Sequence, residues 1–167
     1  QHGGQSIGNF DYGLAPGVAK TYIKRYRSNL ASLIEVMDCA ENAEKAREIY
    51  HILAEQDLFP NLDQCPAYHE AEKKLMLEAG IPEDIFEKAQ AFSVKKATEE
   101  TDKATYQAME ALLHNLNTMH SRAGAQIPFS SINYGTDTSP EGRMISECVM
   151  LATEAGLGNG ETAIFPI

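Results

Sequence analysis

The residues with the most chemical potential lie together near the C-terminal third. In Ser130-Ser131-Ile132-Asn133-Tyr134-Gly135-Thr136-Asp137-Thr138-Ser139, eight of ten side chains carry hydrogen-bonding groups. An ordinary buried strand avoids such a run, because each unsatisfied group costs about 1–3 kcal/mol. Two readings fit it: a polar small-molecule site at a strand end, where α/β folds place ligands, or a hydrogen-bonded turn and helix cap. Other constellations point to bland roles. The five histidines (His2, His51, His69, His114, His120) never fall at i, i+4 and none pairs with a cysteine at ligand spacing, which argues against a zinc site. Cys39, Cys65 and Cys148 are each isolated. Cys39 and Cys148 fall on expected helices and read as small buried hydrophobes, whereas Cys65 precedes Pro66 in a loop with nothing to activate it. Gly156-Leu-Gly158-Asn-Gly160 resembles a phosphate loop only superficially. It follows a helix and lacks the Lys-Ser/Thr ending, so it reads as a helix-to-strand connection. Gly3-Gly4 after His2 permits a close backbone approach or a left-handed turn.

These residues need elements to position them. Gln126–Tyr134 alternates as a strand does, with Pro128 near its start. Ser139-Pro140-Glu141 is a helix entry, and that helix runs to about Ala155 with Gly156 ending it. Thr162–Ile167 reads as a second strand, and Gln1–Ile7 as a third strand or a turn. Before them lies a helical stretch. Val18, Tyr22, Tyr26, Leu30, Leu33, Ile34 and Met37 predict an amphipathic helix over 17–38, and Ala46, Ile49, Tyr50 and Leu53 another over 41–57. Residues 67–79 form a short helix ended by Gly80. Pro82 opens the next, with Ile85, Phe86, Ala89 and Phe92 on one face. Tyr106, Met109, Leu112, Leu113, Leu116 and Met119 predict the longest helix over 97–121, with Gly124 as its cap. The expected fold is helix-rich α/β: a strand or turn at 1–16, helices over 17–124, and a strand–helix–strand unit over 125–167.

Composition narrows the function classes. The 167 residues hold 14 basic and 24 acidic side chains, a net charge of −10 that argues against broad electrostatic binding of DNA or RNA. Residues 38–102 hold 16 acidic against 7 basic residues, leaving 8 against 7 elsewhere, so the acid belongs to one segment and reads as a solvated helical surface. No apolar run is long enough for a membrane helix. Three scattered cysteines fit a reducing cytosol. The start at Gln1 and the apolar run Ala163–Ile167 suggest a piece of a longer chain, whose missing strands would complete the sheet.

The motif text itself is familiar. Gln1-His-Gly-Gly-Gln-Ser6, Ala104-Thr-Tyr-Gln-Ala-Met-Glu-Ala111, His114-Asn-Leu-Asn-Thr-Met-His-Ser-Arg-Ala-Gly124, the run from Gln126 to Arg143 and Gly158-Asn-Gly-Glu-Thr162 resemble the catalytic subunit of class III, anaerobic ribonucleotide reductases. The likeness is dense in the first dozen residues and after about residue 98, and loose over 40–97. Ala163 stands where the family pattern suggests Pro.

That resemblance implies an internal stretch of a ten-stranded α/β barrel of the glycyl-radical type. In the family a glycyl radical oxidises a finger-loop cysteine to a thiyl radical. The thiyl abstracts the ribose 3′-hydrogen of a ribonucleoside triphosphate, and formate commonly supplies the electrons. A separate radical-SAM protein installs the glycyl radical. None of those radical residues matches a position in this chain, so no residue here is assigned a catalytic role and no metal is expected within it. Substrate contacts are expected from Ser130, Ser131, Asn133 and Gln126, then His2 and Gly3. The family also resembles a homodimer whose interface helices bind a dNTP or ATP effector, which gives Lys20, Lys24 and Arg25 an effector-binding reading. Two alternatives stay open: a non-catalytic dimerisation and effector-binding module, or an unrelated α/β ligand-binding domain.

Overall fold

In the computed structural model, residues 4–118, 127–157 and 161–162 are described. Strand β1 (Gly4–Ile7) leads into helix α1 (Phe10–Met37), then α2 (Ala40–Glu55), α3 (Pro66–Glu78), α4 (Glu83–Thr118), strand β2 (Phe129–Ile132) and α5 (Pro140–Ala155). The chain divides into two compact units: residues 1–18 with 102–167, and residues 19–101. Helices α1 and α4 are each continuous through a unit boundary.

The first unit holds the sheet. β1 and β2 pair in parallel, Gly4 opposite Phe129 and Ile7 opposite Ile132. The N-terminal segment is thus a strand, and its partner is the polar strand 125 residues later. A parallel pair cannot be joined by a tight turn, and here the connection is the whole helical stretch. Residues 163–167 of the expected strand Thr162–Ile167 and the cap Gly124 lie outside the described residues, as do Met119, His120 and Gly158–Gly160, and Thr162 itself is in no strand. Phe10, Val18, Met109, Leu113, Ile145, Val149 and Ala152 supply the buried apolar side chains of this unit.

The second unit buries Tyr22, Tyr26, Leu30 and Ile34 of α1 with Ala46, Ile49, Tyr50 and Leu53 of α2, the residues picked out by helical periodicity. Gly80, at φ +89°, takes the left-handed conformation that ends α3. One charged side chain is in this core. Glu72 is fully buried and accepts hydrogen bonds from the Tyr26 hydroxyl (2.7 Å), the Tyr68 hydroxyl (2.9 Å) and Gln90 Nε2 (3.0 Å). His69 shares Gln90 and lies against Gln64, which donates to the Tyr22 hydroxyl. The acidic segment is therefore a solvated surface with one interior exception.

Several boundaries differ from the expectation. Helix α1 begins at Phe10 rather than 17, with Pro16 inside it. A proline in the second turn removes one helical N–H bond, and the helix continues through it; Asp11, in the first turn, is anchored to the chain beyond β2. The helices expected from Pro82 and over 97–121 are one helix of 36 residues. No Gly or Pro interrupts 83–118, and Ser93 and Thr98 donate their hydroxyls to the carbonyls of Ala89 and Val94, which keeps those polar groups within the helix. The buried face of that stretch is Phe86, Ala89, Ser93 and Ala97, so Phe92 points outward and is half-exposed. Cys39 is not a buried helical residue. It is exposed at the extended N-cap position of α2.

Candidate functional site

The polar strand resolves into two faces. Successive strand residues point to opposite sides, and the register places Gln5 beside Ser130 and Ser6 beside Ser131. Gln5 Nε2 donates to Ser130 Oγ at 2.9 Å, and Ser130 is buried. On the opposite side Ser131 Oγ donates to Ser6 Oγ at 2.9 Å, and both residues are exposed. Pairing continues one step past the strands. Asn133 N donates to the Ile7 carbonyl and the Asn133 carbonyl accepts from Phe10 N, each at 2.9 Å. That leaves the Asn133 side chain exposed, two residues on from Ser131. Ile132 and Tyr134, on the alternate positions, line an apolar cleft of about 430 Å³ with Leu113 of α4 and Val149 and Met150 of α5. The helices thus cover the Ile132 side, and among the described residues the Ser6–Ser131–Asn133 side is open.

The loop after β2 is fastened by a residue that sequence reasoning passed over. Asp11, in the first turn of α1, is fully buried, and its carboxylate accepts from Gly135 N (2.8 Å), Asp137 N (2.9 Å) and Thr136 Oγ1 (3.3 Å). These bonds, the one from Asp137 N foremost, outweigh the opposing effect of burial and lower its pKa to about 2. Asp137 in turn accepts from Ser139 N at 2.8 Å, and Ser139 Oγ accepts from Gly142 N at 3.1 Å, capping α5. Gly135 sits at φ +94°, and a Cβ on Gly142 would fall 2.5 Å from Asp137 Cβ. Of the polar run, then, Ser130 and the stretch from Thr136 to Ser139 serve mainly to hold the chain. Ser131 and Asn133 present polar groups outward.

The remaining expected site residues are spread. Gln126, His2 and Gly3 lie outside the described residues. Lys20, Lys24 and Arg25 belong to the other unit, exposed on α1, and Arg25 Nε lies 4.0 Å from Glu100. Among the described residues no group of three or more His, Cys, Asp or Glu is arranged to hold a metal ion. No helix among them is long and apolar enough to cross a membrane. Cys148 is buried near Asp102, and burial first, then that carboxylate, pushes its thiol up to about 12. Such a thiol is protonated at neutral pH and inert as a nucleophile.

A family profile described as "Anaerobic ribonucleoside-triphosphate reductase" matches residues 1–167. The chain belongs to the anaerobic ribonucleoside-triphosphate reductase family. The reductase of Escherichia coli strain K12 is 41% identical over 71 residues, covering 42% of this chain and 10% of that protein. That of Salmonella typhimurium is 39% identical over 71 residues, with the same coverage. The enzyme of bacteriophage T4 is 38% identical over 77 residues, 46% of this chain and 13% of the phage protein. The chain therefore spans about a tenth of the length of the curated reductases it matches. Within this reductase family member, the parallel pair β1–β2 brings together the two motif stretches that begin at Gln1 and Gln126.

Proposed function

We propose that these residues form one substrate-facing wall of an anaerobic ribonucleoside-triphosphate reductase, an oxidoreductase that converts ribonucleoside triphosphates to 2′-deoxyribonucleoside triphosphates. The observation that carries this reading is the open polar face of the β1–β2 pair, in a chain matched by the reductase family along its whole length. In the ten-stranded barrel of the family type, β1 and β2 are adjacent strands, and the side opposite the helices faces the barrel interior. Ser131, Asn133 and Ser6 supply hydroxyl and amide groups that suit a ribose or phosphate oxygen. Ser130, joined to Gln5, holds the register that aims them. Gln126, His2 and Gly3 adjoin the same strands in sequence and complete the proposed contact set. The glycyl radical, the thiyl cysteine and formate chemistry belong to residues beyond this chain, as does recognition by a radical-SAM activating protein. None of the three cysteines here takes part. The enzyme acts in the cytoplasm as a homodimer, and Lys20, Lys24 and Arg25 contribute to binding a dNTP or ATP effector.

Asn133→Ala in the full-length reductase tests the assignment. Turnover is expected to fall by about tenfold or more, since a lost hydrogen bond to a polar substrate costs about that factor, while the glycyl-radical signal in electron paramagnetic resonance stays at the wild-type level. Wild-type turnover in Asn133→Ala and in Ser131→Ala would remove this face from the substrate site. The effector reading stands separately: Lys20→Ala with Lys24→Ala should weaken dNTP binding, and unchanged affinity would refute it.

A further inference from the structure

Asn133 is held differently from the other side chains of the open polar face. Ser6 and Ser131 lie inside the paired strands, where the ladder and their mutual hydrogen bond fix them. Asn133 lies one residue beyond β2, and its backbone is tied at two points of the N-terminal segment. Its N–H donates to the Ile7 carbonyl at the end of β1, and its carbonyl accepts from Phe10 N at the start of α1, each at 2.9 Å. Between those partners the chain turns at Asn9, left-handed at φ +49°, a conformation that asparagine takes more readily than most non-glycine residues. The turn brings the first turn of α1 against the chain that follows Asn133. There the buried Asp11 carboxylate accepts from Gly135 N at 2.8 Å and Asp137 N at 2.9 Å on one oxygen, and from Thr136 Oγ1 at 3.3 Å on the other. Burying a charge is costly unless donors surround it. These three donors all come from residues 135–137, so the position of that short stretch is what the buried charge fixes.

We propose that Asp11 is a positioning residue for the reductase reaction: it holds the chain after β2 so that the Asn133 side chain faces substrate, and it touches no substrate itself. The proposal rests on the reading of the Ser6–Ser131–Asn133 face as a substrate wall. A charged acceptor bonds main-chain N–H groups more strongly than a neutral one, so a carboxylate suits the task better than an amide or hydroxyl. The benefit is orientation, since a small displacement of a contacting group costs much of the rate. Ser131 stands outside this device, because its place is set by the register with β1 and by Ser6. The effect of Asp11 on turnover therefore passes through Asn133 and bypasses Ser131.

Double-mutant cycles in the full-length reductase test it, read as kcat/KM for ribonucleoside triphosphate reduction. Asp11→Ala removes the acceptor altogether. Asp11→Asn, which keeps a neutral oxygen in a side chain of nearly the same shape, carries the test if Asp11→Ala does not fold. A glycyl-radical signal at the wild-type level shows that each variant is folded and activated. Asp11→Asn is expected to lower kcat/KM by about threefold to tenfold, and not beyond the loss in Asn133→Ala. Combined with Asn133→Ala it should cause no further loss, whereas combined with Ser131→Ala the two losses should multiply. A general loosening of the fold would multiply with both. Wild-type kcat/KM in Asp11→Asn, or a loss that multiplies with that of Asn133→Ala, overturns the proposal and leaves the substrate wall standing. Wild-type turnover in Asn133→Ala also overturns it, and wild-type turnover in Ser131→Ala as well removes the wall itself.

Discussion

Asp11 shows how one carboxylate can hold a loop that two other elements depend on. Its acceptor positions are filled by Gly135 N, Asp137 N and Thr136 Oγ1, and these donors favour the ionised form. Because the folded pKa is about 2 against an ordinary 3.8, the unfolded chain takes up the proton first as pH falls. The contribution is complete above about pH 4 and is lost as pH falls through the folded value. Amide hydrogen exchange at Gly135 and Asp137 should therefore be flat from neutral pH to about pH 4, once corrected for intrinsic rates, and should lose protection towards pH 2. In Asp11→Asn, one side of the group becomes a donor facing a donor, so protection is expected to be low throughout with no acid-dependent step. An acid step of the same size in Asp11→Asn would assign it to another group. Nothing in the isolated residue signalled this: Asp11 in a first helical turn has an ordinary helix-dipole reading. Its role exists only because the parallel pairing brings residue 135 beside residue 11.

At the scale of elements, what periodicity encodes was readable and what chain contacts decide was not. The buried stripes of α1 and α2 follow the 3.6-residue repeat, and the Ser139-Pro140 entry and Gly156 end of α5 follow local cap chemistry. The early start of α1 coincides with Asp11 accepting from distant amides, which no local pattern reveals, and α4 runs on as one helix because no Gly or Pro interrupts 83–118. The polar run was legible as important, but not that alternate residues would serve opposite purposes. That division rests on the join between β2 and α5, which has little tolerance. A methyl group at residue 142 would lie 2.5 Å from Asp137 Cβ and Cγ, and moving Asp137 disturbs its bonds to both Ser139 and Asp11. Gly142→Ala should thus loosen the 133–139 loop even though alanine is the better helix former by about 1 kcal/mol. Ser139→Ala, which removes only the cap, should cost about 1 kcal/mol and fray the first turn of α5 while leaving Asp137 in place. Exchange at Asp137 N separates the two: faster in Gly142→Ala and near wild type in Ser139→Ala.

Over the whole molecule, the two units bury separate sets of side chains, and the acidic charge falls mainly on the second. Glu72 is the most consequential polar group of that second core. It is the common acceptor for the Tyr26 and Tyr68 hydroxyls, whose own titration is pushed far above the ordinary range by burial and by the Glu72 charge. Glu72→Ala strands both hydroxyls in an apolar interior while Gln90 Nε2 keeps its contact with His69 Nδ1, and at about 1–3 kcal/mol for each buried group left unpaired it should destabilise its unit by about 2–6 kcal/mol. Glu72→Gln keeps one carbonyl acceptor and should lose less. Stability need not be uniform along a chain, and here helices α1 and α4 each have one part in either unit, so a single helix reports on both. In Glu72→Ala, exchange should accelerate at Leu30, Ile34 and Phe86 and stay near wild type at Leu113 and Ile145. Acceleration of equal size in both halves of α4 would mean that the units open together and that Glu72 supports the whole chain. Confinement to residues 19–101 would mean that the polar strand pair keeps its order while the helical unit loosens. The open face of β1 and β2 would then be held by Asp11 and the strand register, independently of the larger helical core.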